Sequence, residues 1–218
     1  LLQQRVPARA HGAGAYDRGM ALVYPARVEL VEVLPRDGLQ SLPRVYPVET
    51  RVRLVELLAE TGVPKIEAAS FARADKVPQQ AGAEEVFARV RRRPGTVYRA
   101  LVPNERGAQR ALAAGADELV AVLALSDAYN RKNVGMTVDE GVDAVLAVAA
   151  AARAEGRHTV AALGLCLFCP YEGDIPRERV LRVVRRLVAE GVTEIYLSTS
   201  SGVDAPRPLG DLVRAVKD

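Results

Sequence analysis

From residue 26 onward, short apolar runs alternate with longer segments whose apolar residues recur every three or four positions. The runs are Val28–Val33, Lys65–Ala68, Val97–Leu101, Glu118–Leu123, Thr159–Leu163 and Glu194–Leu197. Their length and β-branched content predict strands. Residues 48–61, 82–92, 105–114, 137–155, 176–190 and 207–217 carry the helical period instead. Pro78 precedes the second of these segments. Thr137, with Glu140 three residues on, opens the fourth as a capping box. Gly62, Gly115, Gly156 and Gly191 each stand just past a predicted helix, where a left-handed residue ends it. The stretches AAGADELV and AEGVTEIYL share one form, from helix end through glycine and acid into a strand.

Strict alternation of strand and helix predicts a parallel sheet with right-handed crossovers. Six such units are counted. A (β/α)8 barrel takes eight, whereas a doubly wound sheet is complete with six. No G-x-G-x-x-G follows the first strand, which argues against a dinucleotide-binding sheet. The polar residues argue for a barrel. Arg36 and Asp37 follow the first strand, and Glu67 and Ser70 end the second. Asn130 to Asn133 lie beyond the fourth, Cys169, Tyr171 and Glu172 beyond the fifth, and Thr199 and Ser200 beyond the sixth. Parallel strands put all of these on one rim, and a barrel brings them to a common centre. The expected fold is therefore α/β, a TIM (β/α)8 barrel with about six βα units present, spanning residues 26–218. Residues 1–25 form an irregular tail.

Composition narrows the classes. With 218 residues and 49% hydrophobic content the chain can bury a sizeable core, and no apolar run reaches 18 residues, so no membrane partner is expected. The net charge of +3 comes from interspersed signs, weak grounds for a nucleic-acid partner. The Arg91-Arg92-Arg93 run reads as a solvated helix end. Cys166 and Cys169 are the only cysteines, so there is no disulfide framework, as expected in a reducing cytoplasm. Zinc needs two more ligands than this C-x-x-C pair offers, which leaves a structural or substrate-lining role. Residues 1–25 hold three arginines and one acid but no apolar signal core. An expression artefact or translation from upstream of Met20 explains them better than a transit peptide.

The chemistry concentrates at VEVLPRDGLQ, residues 31–40. Pro35 stops a strand, and a cation, a carboxylate and an amide (Arg36, Asp37, Gln40) follow around Gly38. Arginine can hold a developing oxyanion, and aspartate can ligate a hard divalent cation. A plain Asp–Gly surface turn has the same short pattern.

Further blocks give this turn a context. VEVLPRDGLQ, KIEAASFARADKVPQQAGAEEV, LVPNERGAQRALAAGADEL, SDAYNRKNVGMTVDE, CPYEG at 169–173 and SGV at 201–203 follow in order. Together they resemble the 3-hydroxy-3-methylglutaryl-CoA (HMG-CoA) lyases, within the metal-dependent barrel superfamily that includes isopropylmalate and homocitrate synthases. The resemblance implies cleavage of an acyl-CoA substrate to acetyl-CoA and acetoacetate, as in leucine degradation, with a divalent cation, Mg2+ or Mn2+, as cofactor. It implies Asp37 as metal ligand and Arg36, Asp37 and Glu67 as catalytic residues. Gln40, Ser70 and Asn133 would bind substrate, and a homodimer is compatible. The alternatives are a related acyl-CoA condensing transferase and a non-catalytic relative.

Two departures from the family pattern stand out. The family's Gly-Asp-Thr at the sixth strand is Ser198-Thr199-Ser200 here, so Thr199 replaces an acid. The family's His-x-His pair, its ligating Asn and its Cys-bearing loop have no counterpart. The two histidines are His11, in the tail, and His158, at the start of the fifth strand and so on the opposite rim. The chain is therefore expected to be part of a longer enzyme, and by itself to release no acetoacetate with added Mg2+.

Overall fold

A computed structural model describes residues 26–218; the predicted tail at 1–25, with His11, lies outside them. The elements in chain order are β1 (Val31–Glu32), α1 (Val48–Glu60), β2 (Lys65–Ser70), α2 (Ala83–Arg89), β3 (Val97–Val102), α3 (Glu105–Ala113), β4 (Glu118–Ala124), α4 (Asp127–Val134), α5 (Val138–Ala154), β5 (His158–Gly164), β6 (Phe168–Cys169), β7 (Gly173–Asp174), α6 (Arg177–Ala189), β8 (Glu194–Leu197) and α7 (Pro206–Lys217). Six strands form one parallel sheet in the order β1-β2-β3-β4-β5-β8, and β6 and β7 make a small antiparallel hairpin above it.

The sheet is curled. Neighbouring strands are about 4.8 Å apart, so β2 and β8, four spacings apart, would lie some 19 Å from each other in a flat sheet. Yet Lys65 Nζ on β2 lies 3.7 Å from Glu194 Oε2 on β8. Arg99 Nη2 on β3 donates to Glu194 Oε1 at 2.6 Å. The strands thus wrap toward one another around an interior, as in part of a barrel. Among the described residues no pairing joins β8 to β1.

The outer face of the sheet is the apolar core. Ile66, Ala100, Leu119, Ala121, Ala161 and Leu163 are buried there, and Val55, Val86, Ala108, Val142, Val145 and Val183 are buried on the helices. The helix signals work as read. Thr137 and Glu140 make the reciprocal capping box on α5, and the four expected glycines all have positive φ.

Three expectations are corrected. The first strand is ladder-paired only at Val31–Glu32, and Val28 and Leu30 are two-thirds exposed. It is an edge strand, and an apolar side chain there has no second layer to enter. Second, α2 stops at Arg89, so the arginine run is not its end. Arg91 instead clamps Glu56 of α1, with Nη2 2.9 Å from Oε2, and Arg92 holds Asp117 at 3.0 Å. Third, Asn130 to Asn133 sit in α4, a helix absent from the predicted set. Its eight residues, DAYNRKNV, are mostly polar and carry no apolar period. Its caps were nonetheless visible: Ser126 accepts from Tyr129 N at its start, and Gly135 ends it at φ 73°.

Candidate active site

After β1 the chain makes a single tight turn, Leu34–Gly38, in which Val33 O accepts from both Arg36 N (3.1 Å) and Asp37 N (2.7 Å). Pro35 suits its start, having no N–H to satisfy. Gly38 is required by close approach: a Cβ there would fall 2.5 Å from Leu34 Cδ1. The turn displays Arg36 and Asp37 side by side at the C-terminal ends of the strands.

Two carboxylates flank the Arg36 guanidinium. Its Nε donates to Glu67 Oε1, and its Nη1 donates to Asp37 Oδ1 at 2.6 Å. The two acids are in opposite settings. The Glu67 side chain is 1% exposed and that of Asp37 is 63% exposed, with Arg36 between them at 16%. Glu67 points inward from within β2 rather than from its end. Charge-assisted bonds of this kind are strong and directional, so the buried carboxylate fixes the guanidinium from below.

Above this cluster opens a cleft of about 630 Å³, with Arg36, Asp37, Gln40, Ser70, Asn130 and Asn133 in its walls. The structure therefore brings five of the six sequence-derived site residues to one cleft and places the sixth, Glu67, directly beneath Arg36. Ser70 ends β2 fully buried, its Oγ accepting from Ala72 N at 3.2 Å. Thr199 is not in the cleft wall; Ser198 and Ser200 are.

The far wall is α4 braced by the β6–β7 hairpin. Glu172 accepts from Ala128 N at 2.7 Å and from Arg179 Nη1 at 2.7 Å. Burial alone would raise its carboxyl pKa, but the amide and the guanidinium together hold it below the ordinary value. Tyr129 and Tyr171 pack with ring centroids 6.1 Å apart, and Lys132 Nζ lies 4.4 Å from the Tyr171 ring centre. Both cysteines are buried outside the cleft lining. Burial pushes the Cys166 thiol up to about 11, so of the two expected roles the structure supports the structural one.

Two buried polar features were missed by sequence reasoning. Gln80 and Arg51 are each 1% exposed, and their polar groups meet behind the Arg36 turn. Nothing in Pro78-Gln79-Gln80 distinguishes the inward glutamine. Lower in the interior, Arg99 is fully buried, hydrogen-bonded to Glu118, Glu194 and the Tyr196 hydroxyl.

The residues present do not by themselves fit a divalent cation. Mg2+ takes six oxygens and Ca2+ six to eight. Asp37 is the exposed carboxylate on the rim, Glu67 is engaged by Arg36, and His158 faces Glu194 at 3.5 Å at the opposite end of the strands. Among the described residues no group of three or more His, Cys, Asp or Glu side chains is arranged to hold a metal ion.

The HMGL-like family model matches residues 27–218. The mitochondrial hydroxymethylglutaryl-CoA lyase of Bos taurus is 37% identical over 88% of this chain and 59% of its own length. The cytoplasmic 3-hydroxy-3-methylglutaryl-CoA lyase of Danio rerio is 35% identical over 88% of this chain and 57% of its own. The crystal structure of hydroxymethylglutaryl-CoA lyase from Pseudomonas aeruginosa superposes with a TM-score of 0.84 at 37% identity, covering 88% of this chain and 64% of that one. The chain thus spans about three fifths of the length of the relatives it matches.

Proposed function

Because the chain belongs to the HMGL-like family, we propose that its cleft is the acyl-binding rim of a carbon–carbon lyase that cleaves HMG-CoA to acetyl-CoA and acetoacetate. The observation that carries this is Arg36, held between buried Glu67 and exposed Asp37 at the strand ends, facing a cleft with amide and hydroxyl walls. In the reaction a base takes the 3-hydroxyl proton, the C2–C3 bond breaks and acetoacetate leaves. The electron pair remains on acetyl-CoA as an enolate, which is then protonated. Arg36 offsets the negative charge that grows on the enolate oxygen, its guanidinium already oriented by Glu67 and Asp37 before that charge develops. Glu67 keeps the guanidinium aimed. Gln40, Ser70 and Asn133 hold the substrate's oxygens by hydrogen bonds.

A divalent cation, Mg2+ or Mn2+, would chelate substrate oxygens in such a reaction. Asp37 is proposed as one of its ligands. The described residues supply no completed shell, and no step above is routed through the ion. The three named relatives are all lyases, which favours this reading over a condensing transferase. No described helix is long and apolar enough to cross a membrane. The location proposed is cytoplasmic, in keeping with the Danio rerio relative's name and unlike the Bos taurus relative, which is named as mitochondrial. The test is product detection. The complete gene product, incubated with HMG-CoA and Mn2+, is expected to release acetoacetate and acetyl-CoA in equal amounts. Intact substrate under those conditions would overturn the assignment.

A further inference from the structure

Gln80 ends a short turn at Pro78–Gln80 and contacts three separate parts of the chain. Its Oε1 accepts from Ser70 N at 3.0 Å and from Arg51 Nη2 at 3.1 Å. Its Nε2 donates to Pro35 O at 3.2 Å and to Arg36 O at 3.0 Å. Arg51, from α1, also donates through Nη1 to Ala81 O at 2.6 Å, which anchors the turn that carries Gln80. Gln80 and Arg51 are 1% exposed, so water does not substitute for these bonds. A buried amide with both ends satisfied is rigid, and it fixes whatever it bonds. Here the acceptor end holds the last residue of β2 and the helix. The donor end holds the two carbonyls on which the Arg36 side chain is mounted.

We propose that Gln80 is a positioning residue for the lyase site: its carboxamide sets the Arg36 turn against the end of β2, so that the guanidinium meets both Glu67 and the acyl group. This rests on the functional reading above. Glu67 fixes the guanidinium from below, and Gln80 fixes the backbone it springs from. A side chain of this length anchored at both ends constrains orientation far better than either bond alone.

Gln80→Glu separates the two ends. The acceptor side survives, since a carboxylate still receives Ser70 N and pairs with Arg51. The donor side is lost, and Pro35 O and Arg36 O then face an anion. Gln80→Met removes both ends while keeping the volume. Two readouts are compared with wild type. One is the Arg36 Nε–H resonance in a 15N-labelled sample of the 218-residue chain. The other is the ratio of calorimetric affinities for HMG-CoA and coenzyme A. Positioning predicts that both variants shift or broaden the Arg36 signal and lower the affinity ratio at least fivefold, with coenzyme A binding unchanged. An unchanged signal and ratio in either folded variant overturns the proposal. Loss of the fold in both assigns the amide to stability alone and overturns it equally. Should wild type fail to prefer HMG-CoA over coenzyme A, the functional reading fails, while the Arg36 resonance still decides whether Gln80 sets the turn.

Discussion

The interior of the curled sheet holds two arginines, each between two carboxylates, and they differ in exposure and in their further partners. Arg99 lies between Glu118 and Glu194, with the Tyr196 hydroxyl as a third partner, and its side chain is 0% exposed. Lys65 adds a second cation 3.6 Å from Glu118 and 3.7 Å from Glu194. Every charge there has a partner from another strand, and the cluster joins β2, β3, β4 and β8. Arg36 has one buried partner and one that is 63% exposed, and it fronts an open cleft. In the lower cluster the Arg99 guanidinium presents no exposed surface, and its bonds to Glu118 and Glu194 hold the strands in their curl. The upper one keeps a cation pre-oriented yet reachable, the condition for stabilising charge that develops during a reaction. The two arginine–carboxylate clusters thus differ chiefly in exposure: Arg99 is fully enclosed, while Arg36 has an exposed partner and faces the cleft.

Removing each arginine should separate stability from binding. The largest effect is expected for Arg99→Met, which leaves Glu118 and Glu194 short of their main cation. Breaking a buried pair in this way costs about 3–5 kcal/mol, read as a fall in the urea midpoint. The fraction that stays folded should bind HMG-CoA as wild type does; a selective loss of binding would break the comparison. Arg36→Gln leaves Glu67 buried without its cation and should cost about 2 kcal/mol, less because the site borders water. HMG-CoA affinity should fall at least tenfold. Adding Glu67→Gln should restore most of the stability and none of the affinity, since only the uncompensated charge is relieved.

Asp37→Asn comes next. At an exposed position its effect on stability should stay within about 0.5 kcal/mol. In the absence of metal, HMG-CoA should bind two- to threefold more tightly by titration, because an anion beside Arg36 has gone (a like charge near an anionic ligand opposes it). Weaker binding would show that Asp37 touches substrate directly. Acid titration gives the smallest expected effect. Glu56 lies outside both clusters. Arg91, through its side chain and backbone N–H, lowers its pKa from 4.5 to about 2. A depressed carboxylate stabilises the fold above its unfolded pKa, and the benefit is lost as protons bind. Stability should thus decline from about pH 4.5 down to about pH 2, and Glu56→Gln should flatten that part of the urea-midpoint curve. An unflattened curve would move the acid sensitivity to the interior clusters.

The order and type of the main elements were legible because the outer face of the sheet is buried against helices that carry an apolar period. The ends of β1 were not, since an edge strand's apolar side chains look the same whether covered or exposed. The helix α4 was missed for want of an apolar stripe, although Ser126 and Gly135 marked its ends. At the candidate site, Arg36, Asp37, Gln40, Ser70, Asn133 and Glu67 could be read from motif order, but that Glu67 bonds Arg36 from beneath could not. Gln80, Arg51 and Arg99 could not, because a buried polar side chain is recognised by partners distant in sequence. Gln80 and Arg36 are 44 positions apart, and Arg99 and Tyr196 are 97 apart.

The central claim is that the open arginine cluster, and not the closed one, recognises the acyl group. It is tested most directly by titrating HMG-CoA and coenzyme A separately into wild type and into the Arg36→Gln/Glu67→Gln double variant. The account predicts that HMG-CoA binds wild type more tightly than coenzyme A does, and that this difference vanishes in the double variant while coenzyme A binding persists. An undiminished preference for HMG-CoA in the double variant would contradict it.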